Sequence, residues 1–92
     1  MDGKDIHKKE LMVYRKDIDK IDDKIIELLN ERGIIAQKIG NLKKQANKDL
    51  YQPQREKDII ERMKSKSVIL NPMSVEAIWR EIMDASKLIQ DG

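Results

Sequence analysis

Apolar residues recur along the first half of the chain at alternating steps of three and four: Leu11, Tyr14, Ile18, Ile21, Ile25, Leu28, Arg32, Ile35, Ile39 and Leu42. That spacing is a heptad seam. Nine of the ten positions are apolar, and the exception is the cation Arg32. No Pro interrupts the pattern, so it predicts one helix from about residue 8 to residue 47, preceded by a flexible tail over residues 1–8. Lys43, Lys44 and Lys48 suit the negative end of the helix dipole, and Asn47 marks the stop. Gly33 and Gly40 each cost about 1 kcal/mol in a helix relative to Ala. Glycines of this kind mark places where a second backbone comes close.

The pattern breaks at "KDLYQP", residues 48–53, and a second helix is predicted to start near Pro53, since Pro is tolerated in a first turn. It carries Ile59, Ile60 and Met63 on one face and fades around Ser65–Ser67. "NPMSVE", residues 71–76, is the next start signal, with Asn71 as N-cap and Pro72 at the first helical position. The third helix places Val75, Ile78, Trp79, Ile82, Met83 and Ile89 on its apolar side and ends before Asp91-Gly92. No strand pattern, internal repeat or low-complexity segment is present. The fold class is all-α, with one long and two short helices in a single domain over residues 1–92.

The lengths carry a consequence. A helix of about 40 residues spans roughly 60 Å, against about 21 and 27 Å for the other two. A compact monomer of 92 residues has a radius of gyration of only about 12 Å. The long seam therefore needs a second partner, and another copy of the same chain is the simplest source. An intertwined, antiparallel helical homodimer is the expectation.

Composition narrows the function. Charged and hydrophobic residues each make up 39% of the chain, yet the net charge is only +2, which gives little support to a nucleic-acid binder. There is no Cys, and the only His is His7, so thiolate metal sites, disulfides and a His-based triad are not expected. No apolar run approaches the roughly 20 residues needed to span a bilayer. "MDGKDIHKKE" has no signal-peptide core, so a cytoplasmic protein is the expectation.

Several polar residues stand where the apolar pattern does not want them. Arg32 lies in the seam itself. Lys43 follows it by 11 residues, about three turns, so the two fall within roughly 20° on one face and about 16 Å apart along the axis. Two long cations so placed can lean toward a small dianion between them. Arg15 precedes Lys43 by 28 residues, about 42 Å on one straight helix, and could reach the same molecule only from an antiparallel partner. Arg55-Glu56 opens the second helix, and Glu56 there also suits the dipole. Ser86 and Gln90 are an i, i+4 pair that continues the face of Trp79, Ile82 and Met83 and must be hydrogen-bonded. Taken singly, each has a plainer reading as a snorkelling arginine, a surface lysine, a cap or an inter-helix bond. Together they bring polar groups from all three helices toward one apolar interior.

The stretches "YRKDIDKIDDKIIELLNERGIIAQKIGNLK", "QREKDIIERM" and "EIMDASKLIQ" together resemble the all-helical chorismate mutase family, from about Met12 to Gln90. The resemblance implies a two-fold dimer with two sites. Arg15 from the other chain and Arg32 would bind the two substrate carboxylates. Lys43 would contact a carboxylate and the ether oxygen, and Gln90 would donate to that same oxygen. Glu56 and Arg55 would position the ring hydroxyl, and Ser86 would assist a carboxylate. Gln52 stands where the family often has an acidic residue whose contact is through backbone, and Pro53 follows it at once. Gly33 sits where a larger residue is common. The implied activity is the rearrangement of chorismate to prephenate in the shikimate pathway to Phe and Tyr, with no cofactor and no metal. An isochorismate-pyruvate lyase, which shares this fold, is the nearest alternative. A mutase-like regulatory domain of another shikimate-pathway enzyme and a plain helical dimerisation domain are the others.

Overall fold

The structure is a computed structural model that describes residues 3–46 and 52–91, with side chains from residue 5 onward in the first stretch. It contains three helices: α1, Gly3–Ala46; α2, Pro53–Lys66; and α3, Pro72–Asp91. Among the described residues there is no strand, and no helix is long and apolar enough to cross a membrane. The chain divides into two compact units between Glu31 and Arg32.

α1 starts at Gly3 rather than near residue 8. No helix breaker stands between Gly3 and the seam, and Asp5 in the first turn complements the dipole. The expected stop at Asn47 lies outside the described residues. α3 runs through Asp91, slightly past its expected end.

In the unit that ends at Glu31, the seam is uncovered. Every one of its residues from Leu11 to Leu28 is exposed, between 46 and 62%. Burying a side chain of this size stabilises by about 1.5–3 kcal/mol, so the row is a large unsatisfied apolar surface.

The second unit holds the core. Ile59 and Ile60 of α2 pack with Met83 of α3, flanked by Met63 and Trp79. Val75 is the most completely buried large side chain, at 2% exposure. The start of α2 follows from Pro53 at the first helical position, with Glu56 N–H donating to the Gln52 carbonyl at 3.2 Å. The helix stops at Ser67, whose backbone turns extended while its N–H still donates to the Met63 carbonyl. Asn71 caps α3: its Oδ1 accepts from Ser74 N–H at 2.8 Å.

The face that α1 turns into this unit is not the heptad seam, which is expected to meet a second copy of the chain. Ile35, Ile39 and Leu42 are exposed, at 57, 40 and 64%, while Ala36 is buried at 4%. Gly40 is buried, and Arg32, Gly33 and Lys43 are half-buried. The line that turns inward is therefore Gly33, Ala36, Gly40 and Lys43, one position on from the heptad seam. Small residues let the backbones approach, and the apolar seam is left outside.

An ion network ties α2 to α3. Lys64 Nζ lies 2.9 Å from Glu76 Oε1, and Arg80 Nη2 lies 3.2 Å from Glu76 Oε2. The Lys64 hydrogen bond, then that of Arg80, holds Glu76 below the usual carboxylate range, and the Glu76 hydrogen bond raises Lys64. A carboxylate depressed in the folded state stabilises above its unfolded pKa, about 4.3 for Glu, and loses that contribution as pH falls through the lower folded value. The raised Lys64 works in the opposite window: its contribution is full below about pH 10.4 and is lost above it. Glu76→Gln is expected to lower the thermal midpoint slightly at neutral pH, with the gap closing in acid below the carboxylate range. Thermal unfolding of both proteins at the two pH values checks this, and a gap unchanged in acid would contradict it.

Candidate active site

Helices α1, α2 and α3 enclose a cleft of about 280 Å³. From α1 come Arg32, Ile35, Ala36, Ile39 and Lys43; from the entry to α2 come Gln52 and Arg55; and from α3 come Ser86 and Gln90. A smaller lobe of about 90 Å³ shares Lys43, Gln52, Arg55, Ser86 and Gln90 and adds Glu56, Met83 and Lys87. Seven of the eight residues singled out in the sequence thus line one continuous depression: Arg32, Lys43, Gln52, Arg55, Glu56, Ser86 and Gln90. The eighth, Arg15, belongs to the other unit, where it is exposed.

Each side chain arrives for a local reason. Ala36 and Lys43 lie on the inward line of α1, and Arg32 lies beside it at the edge of the seam, 11 residues before Lys43 and so on nearly the same side of the helix. Arg55 and Glu56 occupy the first turn of α2, positioned by Pro53. Met83, Ser86, Lys87 and Gln90 lie at i, i+3, i+4 and i+7 on α3 and so form one stripe.

The electrostatics of the cleft are one-sided. Arg32, Lys43, Arg55 and Lys87 supply four cations against one carboxylate, Glu56. Lys87 Nζ is ion-paired with Glu56 Oε1. Among the described residues no carboxylate pairs with Arg32, Lys43 or Arg55. Burial first, and the neighbouring Arg55 guanidinium second, push Arg32 below its ordinary value. An arginine so placed stays charged, so the two guanidiniums repel across a partly desolvated space. Arg32 Nη1 donates to Ser86 Oγ, and the Ser86 hydroxyl donates in turn to the Ile82 carbonyl at 3.0 Å. The serine therefore offers a lone pair to the guanidinium and orients it. Clustered, underpaired cations of this kind match a small ligand with more than one negative charge.

Lys87 is the site residue that sequence reasoning missed. Its signal was its place on the α3 stripe, four residues after Met83 and three before Gln90. Its ion pair with Glu56 bridges α3 to α2 and occupies the single carboxylate of the cleft.

The described residues form an all-helical scaffold with a cationic cleft that is apolar on one wall. The chain belongs to the chorismate mutase type II family, whose model matches residues 14–91. It is 42% identical over 81 residues to the bifunctional chorismate mutase/prephenate dehydratase of Aquifex aeolicus, covering 83% of this chain and 22% of that one. It is 38% identical over 55 residues to the chorismate mutase of Methanocaldococcus jannaschii, covering 60% of this chain and 56% of that one. The chain thus spans less than two thirds of the length of either curated relative. Among solved structures, a chorismate mutase of Thermus thermophilus in form II superposes with a TM-score of 0.86 at 25% identity, over 89% of this chain and 94% of that one. Form I of the same enzyme gives a TM-score of 0.79 at 27% identity, over 84% and 98%.

Proposed function

We propose that this chain is a chorismate mutase that converts chorismate to prephenate in the aromatic amino acid pathway, acting in the cytoplasm as a homodimer. The observation that carries the proposal is the set of cations Arg32, Lys43 and Arg55 around one cleft, with no carboxylate paired to them among the described residues. Family membership supplies the substrate: a dicarboxylate joined through an ether oxygen.

The reaction is an intramolecular rearrangement. The ether C–O bond breaks as a new C–C bond forms, six electrons move in a ring, and no atom enters or leaves. It requires no nucleophile, metal or redox cofactor, which suits a chain without Cys. The work left to the protein is to hold the dianion in its compact reactive chair, an orientation effect. It must also stabilise the negative charge that grows on the ether oxygen as the C–O bond opens. Arg32 anchors one carboxylate. Ser86 steadies Arg32 in the free protein, and its hydroxyl exchanges its bond to the Ile82 carbonyl for one to a carboxylate when one arrives. Lys43 and the Gln90 amide donate to the ether oxygen. Arg55 and Glu56 position the ring hydroxyl, with Gln52 at the same end. The Ile35, Ala36 and Ile39 wall receives the apolar ring edge.

Arg15 acts from the partner subunit. The homodimer is supported by the uncovered seam from Leu11 to Leu28. Two such rows, antiparallel, would cover each other and bring the cation of one chain to the cleft of the other.

Turnover of chorismate and isochorismate, compared side by side on the purified chain, tests the substrate. Chorismate is expected to be the better substrate. Faster release of pyruvate from isochorismate would replace the mutase by a lyase.

A further inference from the structure

Gly40 is buried on the inward line of α1, one turn before Lys43. A methyl group placed on it would stand 2.8 Å from the Gln90 Cα, 2.9 Å from the Gln90 carbonyl oxygen and 3.1 Å from the Gln90 Cβ. Two of these three atoms are backbone and belong to the last turn of α3. Real side chains do not come so close, so any residue but Gly at position 40 must push that turn away from α1. Gly33 is a useful contrast. A methyl group there meets only Ile89 Cδ1, at 3.3 Å, the movable tip of a side chain.

The two glycines carry the same helix penalty, about 1 kcal/mol each relative to Ala, but only Gly40 has a backbone pressed against it. What that backbone carries is Gln90, which lines the cleft together with Lys43. We infer that Gly40 is a positioning residue: its missing side chain lets α3 seat against α1 so that the Gln90 amide and the Lys43 ammonium converge on the same substrate oxygen. Gly40 touches no substrate atom. It sets the distance between two groups that sit on different helices, and this role depends on the rearrangement proposed above.

The consequence is specific. Gly40→Ala leaves Arg32, Arg55 and Ser86 in place, so ground-state binding of the dianion is kept. The displaced Gln90 amide fails at the moment charge develops on the ether oxygen. A misplacement of about 1 Å at a reacting group costs on the order of 100-fold in rate. The expected result for Gly40→Ala is therefore a kcat lower by about 10- to 100-fold, with KM within about threefold of wild type. Gly33→Ala is expected to keep kcat within about threefold, because a methyl there meets only the movable tip of Ile89, which can shift by a few tenths of an ångström.

A double-mutant cycle separates positioning from general disturbance. In a Gln90→Gly background the amide is already gone and the last turn of α3 can give way. Adding Gly40→Ala there should lower kcat by no more than about twofold further, a strongly non-additive result. The wild type, Gly40→Ala, Gln90→Gly and the double variant are assayed together on chorismate, with circular dichroism as the check on folding. Equal activity of wild type and Gly40→Ala would overturn the inference, as would fully additive losses. If Gly40→Ala does not fold, the same substitution in a chain ending at Ile89, which lacks the Gln90 backbone atoms the methyl would meet, should restore folding, and failure of that variant to fold would overturn the close contact. A wild-type chain that leaves chorismate unchanged would overturn the proposed rearrangement, and this role of Gly40 with it; an active wild type with an unaffected variant removes the role alone.

Discussion

Lys43→Ala is expected to lower kcat on chorismate by about 100- to 1000-fold while the protein stays folded. Removing one donor aimed at developing charge costs about 3–4 kcal/mol of transition-state stabilisation. Lys43 is half-buried on the inward line of α1, and among the described residues no carboxylate pairs with it. Its loss therefore strands no buried countercharge, and the fold has little reason to suffer. In fact it relieves like-charge crowding with Arg32 and Arg55 along the same cleft. Binding should weaken less than turnover, since Arg32 and Arg55 still hold the dianion in the ground state. Steady-state kinetics with circular dichroism of the same sample checks this. A folded Lys43→Ala protein within a few-fold of wild type would remove Lys43 from the ether oxygen.

The second large effect is expected at the two arginines that serve one site from two chains. Arg15→Ala and Arg32→Ala homodimers should each be nearly inactive, because each loses a charge-assisted carboxylate contact in every site. Co-expression or co-refolding of the two variants should then restore activity. In a mixed dimer one site draws Arg32 and the partner subunit's Arg15 from unmutated positions and is intact, while the other site carries both lesions. Random pairing makes about half the dimers mixed, so recovery should approach roughly a quarter of wild type for two equivalent sites in a closed two-fold assembly. If Arg15 served its own chain, every site would carry one lesion and mixing would restore nothing. Absence of recovery from dimers shown to be mixed would reject the shared site and the antiparallel pairing.

Much of this was legible in the residues, and the exceptions have physical causes. Pro53 and Asn71-Pro72 announced two helix starts because each supplies a terminus with what it lacks: a residue without a surplus N–H, or a side-chain acceptor. Ile59, Ile60 and Met83 were readable as core because α2 and α3 are short and bury one face each. The inward face of α1 was signalled only by its glycines, of which Gly40 does meet the backbone of a second helix. Periodicity reports where apolar residues lie, and on α1 the apolar row is Ile35, Ile39 and Leu42, which this chain leaves exposed. The row that faces the core, Gly33, Ala36 and Gly40, is nearly silent in hydropathy because its contribution is the absence of side chains. Arg32 was noticed since it interrupts an apolar row. Lys87 was overlooked because a lysine between Ser86 and Leu88 interrupts nothing, and its partner Glu56 lies 31 residues away in sequence.

The most direct measurement is the fate of chorismate in the presence of the purified chain, followed by proton NMR so that every product is seen. Because the cleft is read as orienting one dianion through an internal rearrangement, chorismate signals should be replaced one for one by those of prephenate, with no pyruvate and without any added metal or cofactor. Chorismate left unchanged beyond its uncatalysed rate, or pyruvate appearing in its place, would contradict the account.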